Sequence, residues 1–172
     1  MDFAGADDVP IPYMQRTRDY YQRVGFPPYR WAHFADAPFT SLAKPVETLR
    51  LALITTAAPF QPGVGDQGPG ARYNAAAKFY QVYSDSSDGE PDVRISHTTY
   101  DRVHTTAEDP CTWFPLAALR ALVKRGRLGM LTPRFHGAPT NFSQRVTMDI
   151  DAPELLRRCE EDRADAALLV PN

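Results

Sequence analysis

The chain has 172 residues, a net charge of −2 and a pI near 6.1. That length suits one core-forming fold, the near-balanced charge makes no electrostatic case for nucleic acid, and no apolar run reaches the ~20 residues that span a bilayer. Cys111 and Cys159 stand far apart with no CxxC, and the acidic Met1–Asp8 stretch lacks the basic and apolar regions of a signal peptide, so neither a disulfide framework nor a zinc site is expected and a reducing cytoplasm is.

Residues 1–12 end in Pro10-Ile11-Pro12 and read as an extended arm. Tyr13, Met14, Thr17, Tyr20, Tyr21 and Val24 then recur at helical spacing, and Gly25 follows as the C′ residue. The segment from Phe26 to Pro45 is rich in aromatics and proline and has neither period. It reads as an ordered arm packed over the fold, or as cover for a partner surface. The expected division is 1–45, helix and arm, and 46–172, an α/β domain.

Leu49 to Thr56 is a nearly continuous apolar strand of the kind covered on both faces. Gly63, Gly65 and Gly68 match the letters of a dinucleotide fingerprint. That fingerprint needs its glycines tight against the strand end and opening a helix. Here Pro59 and Pro62 intervene and Pro69-Gly70 delays any helix, so a surface loop is the better reading. Ala71 to Tyr83 fits helix or strand, and Ser84 to Pro91 reads as a turn or loop.

Arg94 to Asp109 concentrates His97, Tyr100, Asp101, Arg102, His104, Glu108 and Asp109 behind a short strand-like start, Val93 to Ser96. A strand running into titratable side chains is how α/β proteins place chemistry, beyond the carboxyl ends of their strands. If that strand runs parallel to the one ending at Val170, then His97, Asp101 and Asn172 share one sheet edge. Phe114 to Gly126 is the clearest helix, with Pro115 in its first turn and Gly126 at its end. Leu128 to Leu131 is a short apolar piece, and Pro133 to Gly137 reads as a second polar loop. Asp151 and Glu154 have capping-box spacing, ahead of a helix whose Leu155, Leu156 and Cys159 face inward. Asp165 to Val170 is a last buried strand. The order of elements argues a three-layer α/β domain around a mostly parallel sheet, expected to be incomplete at the C-terminus.

Tyr29-Arg30-Trp31-Ala32-His33-Phe34, the run from Pro38-Phe39-Thr40 to Lys44-Pro45, Ile95-Ser96-His97 with Tyr100-Asp101, Phe114-Pro115-Leu116 and Pro133-Arg134-Phe135-His136 together resemble the glycine/sarcosine/betaine/D-proline reductase selenoprotein B family, from about Tyr13 to Asn172. The resemblance implies an oxidoreductase of amino-acid metabolism that cleaves a carbon–nitrogen bond alpha to a carboxylate. A selenol or thiol removes the α-carbon group, and an external thiol or thioredoxin-type reductant regenerates it. A partner subunit in those systems carries a pyruvoyl group that can hold an amine substrate as a Schiff base. The resemblance places His97, Asp101 and Tyr100 near the active strand end and His136 in a later loop. It also places the family's selenocysteine or cysteine directly after Asn172, so the chain is expected to be the truncated N-terminal part of such a reductase, without cofactor of its own and inactive alone.

In that reading His97 or His104 is the acid/base group, Asp101 orients or charge-stabilises it, and Arg30, Arg102 or Arg134 clamps a substrate carboxylate, with His136 nearby. A homo-oligomer is compatible with it. The competing readings are a non-catalytic binding or assembly module and a metal hydrolase using His97-x3-Asp101-x2-His104. The latter is disfavoured because Thr98, Thr99, Tyr100 and Val103 are poor helix formers.

Overall fold

A computed structural model describes residues 11–65, 67–97, 100–103, 105–140 and 143–172. In chain order the elements are α1 (Tyr13–Arg23), β1 (Arg50–Thr55), β2 (Ala58–Pro59), β3 (Tyr83–Ser86), β4 (Val93–Arg94), α2 (Leu116–Lys124), β5 (Met130–Leu131), β6 (Arg134–Gly137), α3 (Gln144–Val146), a π-helical turn (Thr147–Asp151), α4 (Ala152–Glu161) and β7 (Ala166–Val170). The chain divides into two units, Met1–Phe39 and Thr40–Asn172, against an expected boundary at 45/46. Among the described residues no helix is long and apolar enough to cross a membrane.

In the first unit α1 exposes all of its side chains at least partly. It ends in a Schellman arrangement: Gly25 has φ +86°, its N–H donates to Gln22 O, and Phe26 N–H donates to Tyr21 O. The arm's aromatics pack on one another and on this helix. Tyr13 meets Trp31 at 5.7 Å, Tyr29 meets Trp31 at 5.0 Å and Tyr21 meets Tyr29 at 5.4 Å between ring centroids. Edge contacts of this sort add to area burial.

The second unit is built around β1, whose Ala52, Leu53 and Ile54 are buried. β7 pairs with it in parallel from Leu51–Ala166 to Thr55–Val170. On its other side, β5 pairs with the start of β1 and β6 with its end, both parallel. β3 then pairs antiparallel with β6, Ser84 opposite His136. The result is a mixed α/β fold with a mostly parallel sheet. Since β1 leads to β5 and β6 on one side, and β6 leads to β7 on the other, the connections leaving the adjacent strands β1 and β6 diverge, and their carboxyl ends flank a topological switch point with the end of β7 beside β1.

Alternation along the strands sorts the side chains. Leu53 and Phe135 face the core with Trp113, Phe114, Leu116 and Leu119, and the Phe114 and Phe135 rings meet edge-on at 5.0 Å. The next residues along, Ile54 and His136, are paired with each other and point to the opposite face. Helix α2 ends as expected, with Gly126 at φ +67°.

Six expectations change, the first being that β7 is not a buried strand, since Ala167, Leu168 and Leu169 are exposed along it. Ser84 to Ser86 is strand, not loop, because β6 supplies the pairing that polar side chains do not advertise. Arg134 to Gly137 is strand for the same reason, its polar residues being satisfied by ion pairs and hydrogen bonds on the outer face. Asp151 makes no side-chain cap hydrogen bond to α4: the helix begins at Gln144, Ser143 Oγ accepts from Val146 N, and Asp151 sits inside the π turn. Leu156 is 60 % exposed and Cys159 half-buried rather than inward. Finally, β4 is not in the main sheet. It pairs antiparallel with β2, and Ile95 bridges to Tyr73, so the stretch entering His97 does not run beside β7.

Candidate functional site

The expected site residues fall in three places. Arg30 belongs to the first unit, where Arg18, Pro27, Pro28, Tyr29, Trp31 and His33 line a cleft of about 520 Å³ with it. His97, Tyr100, Asp101 and Arg102 form one loop beside Tyr73. The Tyr100 N–H donates to the His97 carbonyl, and the Tyr100 ring meets Tyr73 at 5.9 Å. The Arg102 guanidinium lies 4.2 Å over the Tyr73 ring, a cation–π contact that holds the arginine at the surface. Asp101 turns back to accept from Val103 N at 2.9 Å. His104 lies outside the described residues, as do Met1 to Pro10 of the N-terminal arm. Among the described residues no three His, Cys, Asp or Glu side chains converge as a metal group.

Arg134 and His136 are on β6, on its outer face. Arg134 Nε and Nη2 donate to the Asp162 carboxylate at 2.8–3.1 Å, and Nη2 reaches Glu161 at 3.4 Å. The hydrogen bond to Asp162 raises the Arg134 pKa further. A substrate carboxylate would therefore have to displace Asp162 to use this arginine. His136 is wholly buried. Its Nδ1 is 2.8 Å from Ser84 Oγ, and its Nε2 is 3.4 Å from Asp162 Oδ2, close enough for electrostatic attraction but too poorly aligned for a hydrogen bond. Burial holds the imidazole pKa below its ordinary value. Asp162 opposes that shift, Arg134 and Arg158 reinforce it, and Glu154 opposes it.

Ser84, Arg158 and Asp162 are absent from any short motif. Arg158 Nη1 donates to Ser84 Oγ at 2.7 Å across 74 positions of chain. The one local signal was the polar–apolar–polar alternation of Arg134-Phe135-His136, which is the period of a strand.

The switch point is small and mostly apolar. Ile54, Thr55, Thr56, Ala138, Leu169, Val170 and Pro171 line about 110 Å³ there. Thr56 Oγ1 accepts from Asn172 N at 2.8 Å and donates to Asn172 O at 3.1 Å, while Asn172 Nδ2 donates to Trp113 O at 3.2 Å. Asn172 Oδ1 is buried without a hydrogen-bond partner.

The glycine-rich loop is occupied from within. Arg94, wholly buried, pairs with Asp92, donates from Nη2 to Gly68 O at 2.9 Å and lies 4.8 Å over the Phe60 ring. Asp92 in turn accepts from Gly70 N at 3.2 Å. A phosphate cradle needs free backbone N–H groups facing a ligand; here the Gly68 carbonyl and the Gly70 N–H already serve the Asp92–Arg94 pair.

Compared with known families, characterised proteins and solved structures, the chain matches none of them.

Proposed function

We propose that this chain is the N-terminal part of a selenoprotein B-like reductase acting on the C–N bond of glycine, sarcosine, betaine, D-proline or a related amino acid, with thiols as reductant. The observation that supports the reading is the grouping of His97, Tyr100, Asp101 and Arg102 beside Tyr73, in a chain whose parallel strands β1 and β7 have their carboxyl ends tied together through Thr56 and Asn172. The role of this chain is to bind and orient the substrate. Arg102 and His97 take its carboxylate and a proton respectively, with Asp101 and Tyr100 shaping their loop. The selenol or thiol belongs to a residue other than Cys111 and Cys159: burial and Asp162 raise the Cys159 thiol pKa, which disfavours the thiolate. A pyruvoyl-bearing partner subunit and a thioredoxin-type reductant complete the reaction in the cytoplasm.

We also propose that the domain is three-layered and that β7 needs cover from outside these residues. Leu169 is 68 % exposed on that strand, although an apolar strand of this composition suits a sheet covered on both faces.

The second reading is a non-catalytic assembly module, favoured by that same exposed strand. Calorimetric titration with glycine, sarcosine, betaine and D-proline separates the two. The reductase reading expects saturable binding of at least one, weakened about tenfold or more in Arg102→Ala, as for loss of a charge-assisted contact. No binding of any of the four, together with concentration-dependent self-association, would replace it with the assembly module.

A further inference from the structure

One assignment of the hydrogen bonds around Ser84 suits Arg158, His136 and Asp162 together. A guanidinium can only donate, so Ser84 Oγ accepts from Arg158 Nη1 at 2.7 Å. The hydroxyl keeps a second lone pair, so its 2.8 Å contact with His136 Nδ1 takes its direction from the imidazole tautomer. The Asp162 carboxylate, whose Oδ2 is 3.4 Å from Nε2, favours the tautomer with the ring proton on Nε2, which leaves Nδ1 bare to accept the Ser84 proton. Asp162 is itself buried and held by Arg134. Ser84 and His136 are directly opposite in the β3–β6 ladder, which forces their side chains onto one face. In this assignment donation runs from Arg158 through Ser84 to His136, with Asp162 beyond it. A nucleophile within hydrogen-bond reach of a base, with a carboxylate beyond that base, is the order that activates a serine, although here Asp162 acts on the imidazole by its charge and not through a hydrogen bond.

We propose that Ser84 is a base-activated nucleophile for small acyl esters, with His136 as its general base, Asp162 as a positioning residue and Arg158 as the cation at the developing oxyanion. Ser84 Oγ attacks the ester carbonyl carbon while its proton passes to His136 Nδ1. The tetrahedral intermediate collapses, the C–O bond to the alcohol breaks, and the imidazolium returns the proton to the leaving alkoxide. Water then attacks the acyl-serine, again losing a proton to His136, and the carboxylic acid departs as Ser84 recovers its proton. The sum is ester plus water to acid plus alcohol, with no oxidant or reductant. Arg158 reaches from the Ser84 hydroxyl to a cleft of about 670 Å³, whose walls include Tyr80, Val82, Ile150 and Pro153. Asp149, Asp151, Glu154 and Arg157 also line it, and Arg158 Nε donates to Glu154 at 2.6 Å, so the acyl chain would lie along the apolar wall while the second arm of the Arg158 guanidinium faces Ser84. The π turn that carries Ile150 widens the helix there, a local irregularity often found at functional sites.

The full chain is treated with an alkyl fluorophosphonate, whose phosphorus takes the serine oxygen as fluoride leaves, and the labelled residue is located by peptide mass spectrometry. Ser84 is expected to be labelled, with Ser86 and Ser87 as internal controls in the same peptide region. The rate should fall about 100-fold in His136→Gln, the range for loss of a general base, and p-nitrophenyl acetate should give an acyl-enzyme that Ser84→Ala cannot form. If His136→Gln does not fold, the wild-type pH profile decides, since the labelling rate must fall as the imidazole is protonated in acid. A purely architectural network leaves Ser84 no more reactive than Ser86, or reactive at a rate indifferent to pH. Either result overturns the proposal.

Discussion

Tyr83 stands opposite Gly137 in the β3–β6 ladder, and its ring fills the space where a β-carbon on Gly137 would sit. The same ring meets Phe79 at 5.1 Å and Phe135 at 6.0 Å, and its hydroxyl donates to Ala57 O at 2.7 Å. The bare glycine is what lets an aromatic from an edge strand lie across the sheet. Gly137→Ala should therefore cost about 3 kcal/mol, the upper part of the range for overpacking. The clash needs the ring, so Gly137→Ala should cost much less in a Tyr83→Ala background. A double-mutant cycle by urea unfolding measures this. Additive losses would show that the ring is not the obstacle.

Arg94 is the other long-range tie. Its guanidinium joins Asp92, Gly68 and Phe60, so the loop from 60 to 70 is anchored to a residue that follows it by more than twenty positions. Arg94→Met should cost about 3 kcal/mol, the low end for breaking a buried pair, because Asp92 keeps a third of its side-chain surface in water. Arg94→Lys should recover only part of this, having a charge but no planar fork to bond Asp92 and Gly68 together. Limited proteolysis should find new cleavage between Phe60 and Asn74 in both variants. An unchanged digest would mean that the loop holds itself.

Stability should depend on pH through His136. The folded state keeps this imidazole neutral below the ordinary value of 6.5, mainly by burial. In that window the unfolded chain binds the proton that the native chain refuses, so stability rises with pH and is lost as pH falls from 6.5 toward the lowered folded value. Glu154, drawn down to about 2 by hydrogen bonds from Arg157 and Arg158, acts in the same direction at lower pH: its contribution is present above 4.5 and disappears as pH falls toward 2. The two windows separate. Urea midpoints between pH 7.5 and 5 should drop for the wild type and stay nearly flat for His136→Gln, on this linkage argument. Parallel slopes would remove His136 as the cause.

Leu169 presents an apolar side chain on a strand whose outer edge is unpaired among the described residues. Edges of this kind are commonly blunted by charge. Leu169→Lys should change unfolding free energy by no more than about 0.5 kcal/mol, as for an exposed site, while reducing concentration-dependent association in sedimentation velocity. Equal association of the two proteins would place the sticky surface elsewhere.

What the sequence by itself determined is the set of elements whose cause is local. Helix α1 with Gly25 behind it, α2 with Gly126 behind it, and the apolar strands β1 and β7 all follow from periodicity, caps and composition within a turn or two. The mostly parallel sheet followed from their order. What only the tertiary structure decided is where polar segments go. Ser84 to Ser86 and Arg134 to Gly137 read as loops because nothing nearby can satisfy or bury them. They become strands because each finds the other, and because Arg158 and Asp162 arrive from 74 and 28 positions away. The expected strand entering His97 turned instead to β2 and Tyr73, since two or three residues of alternation do not name a partner. The buried charge of Arg94 had no signature for the same reason. Burial of a polar group is decided by its hydrogen-bond partners, and those partners are distant in the chain and near only in the fold.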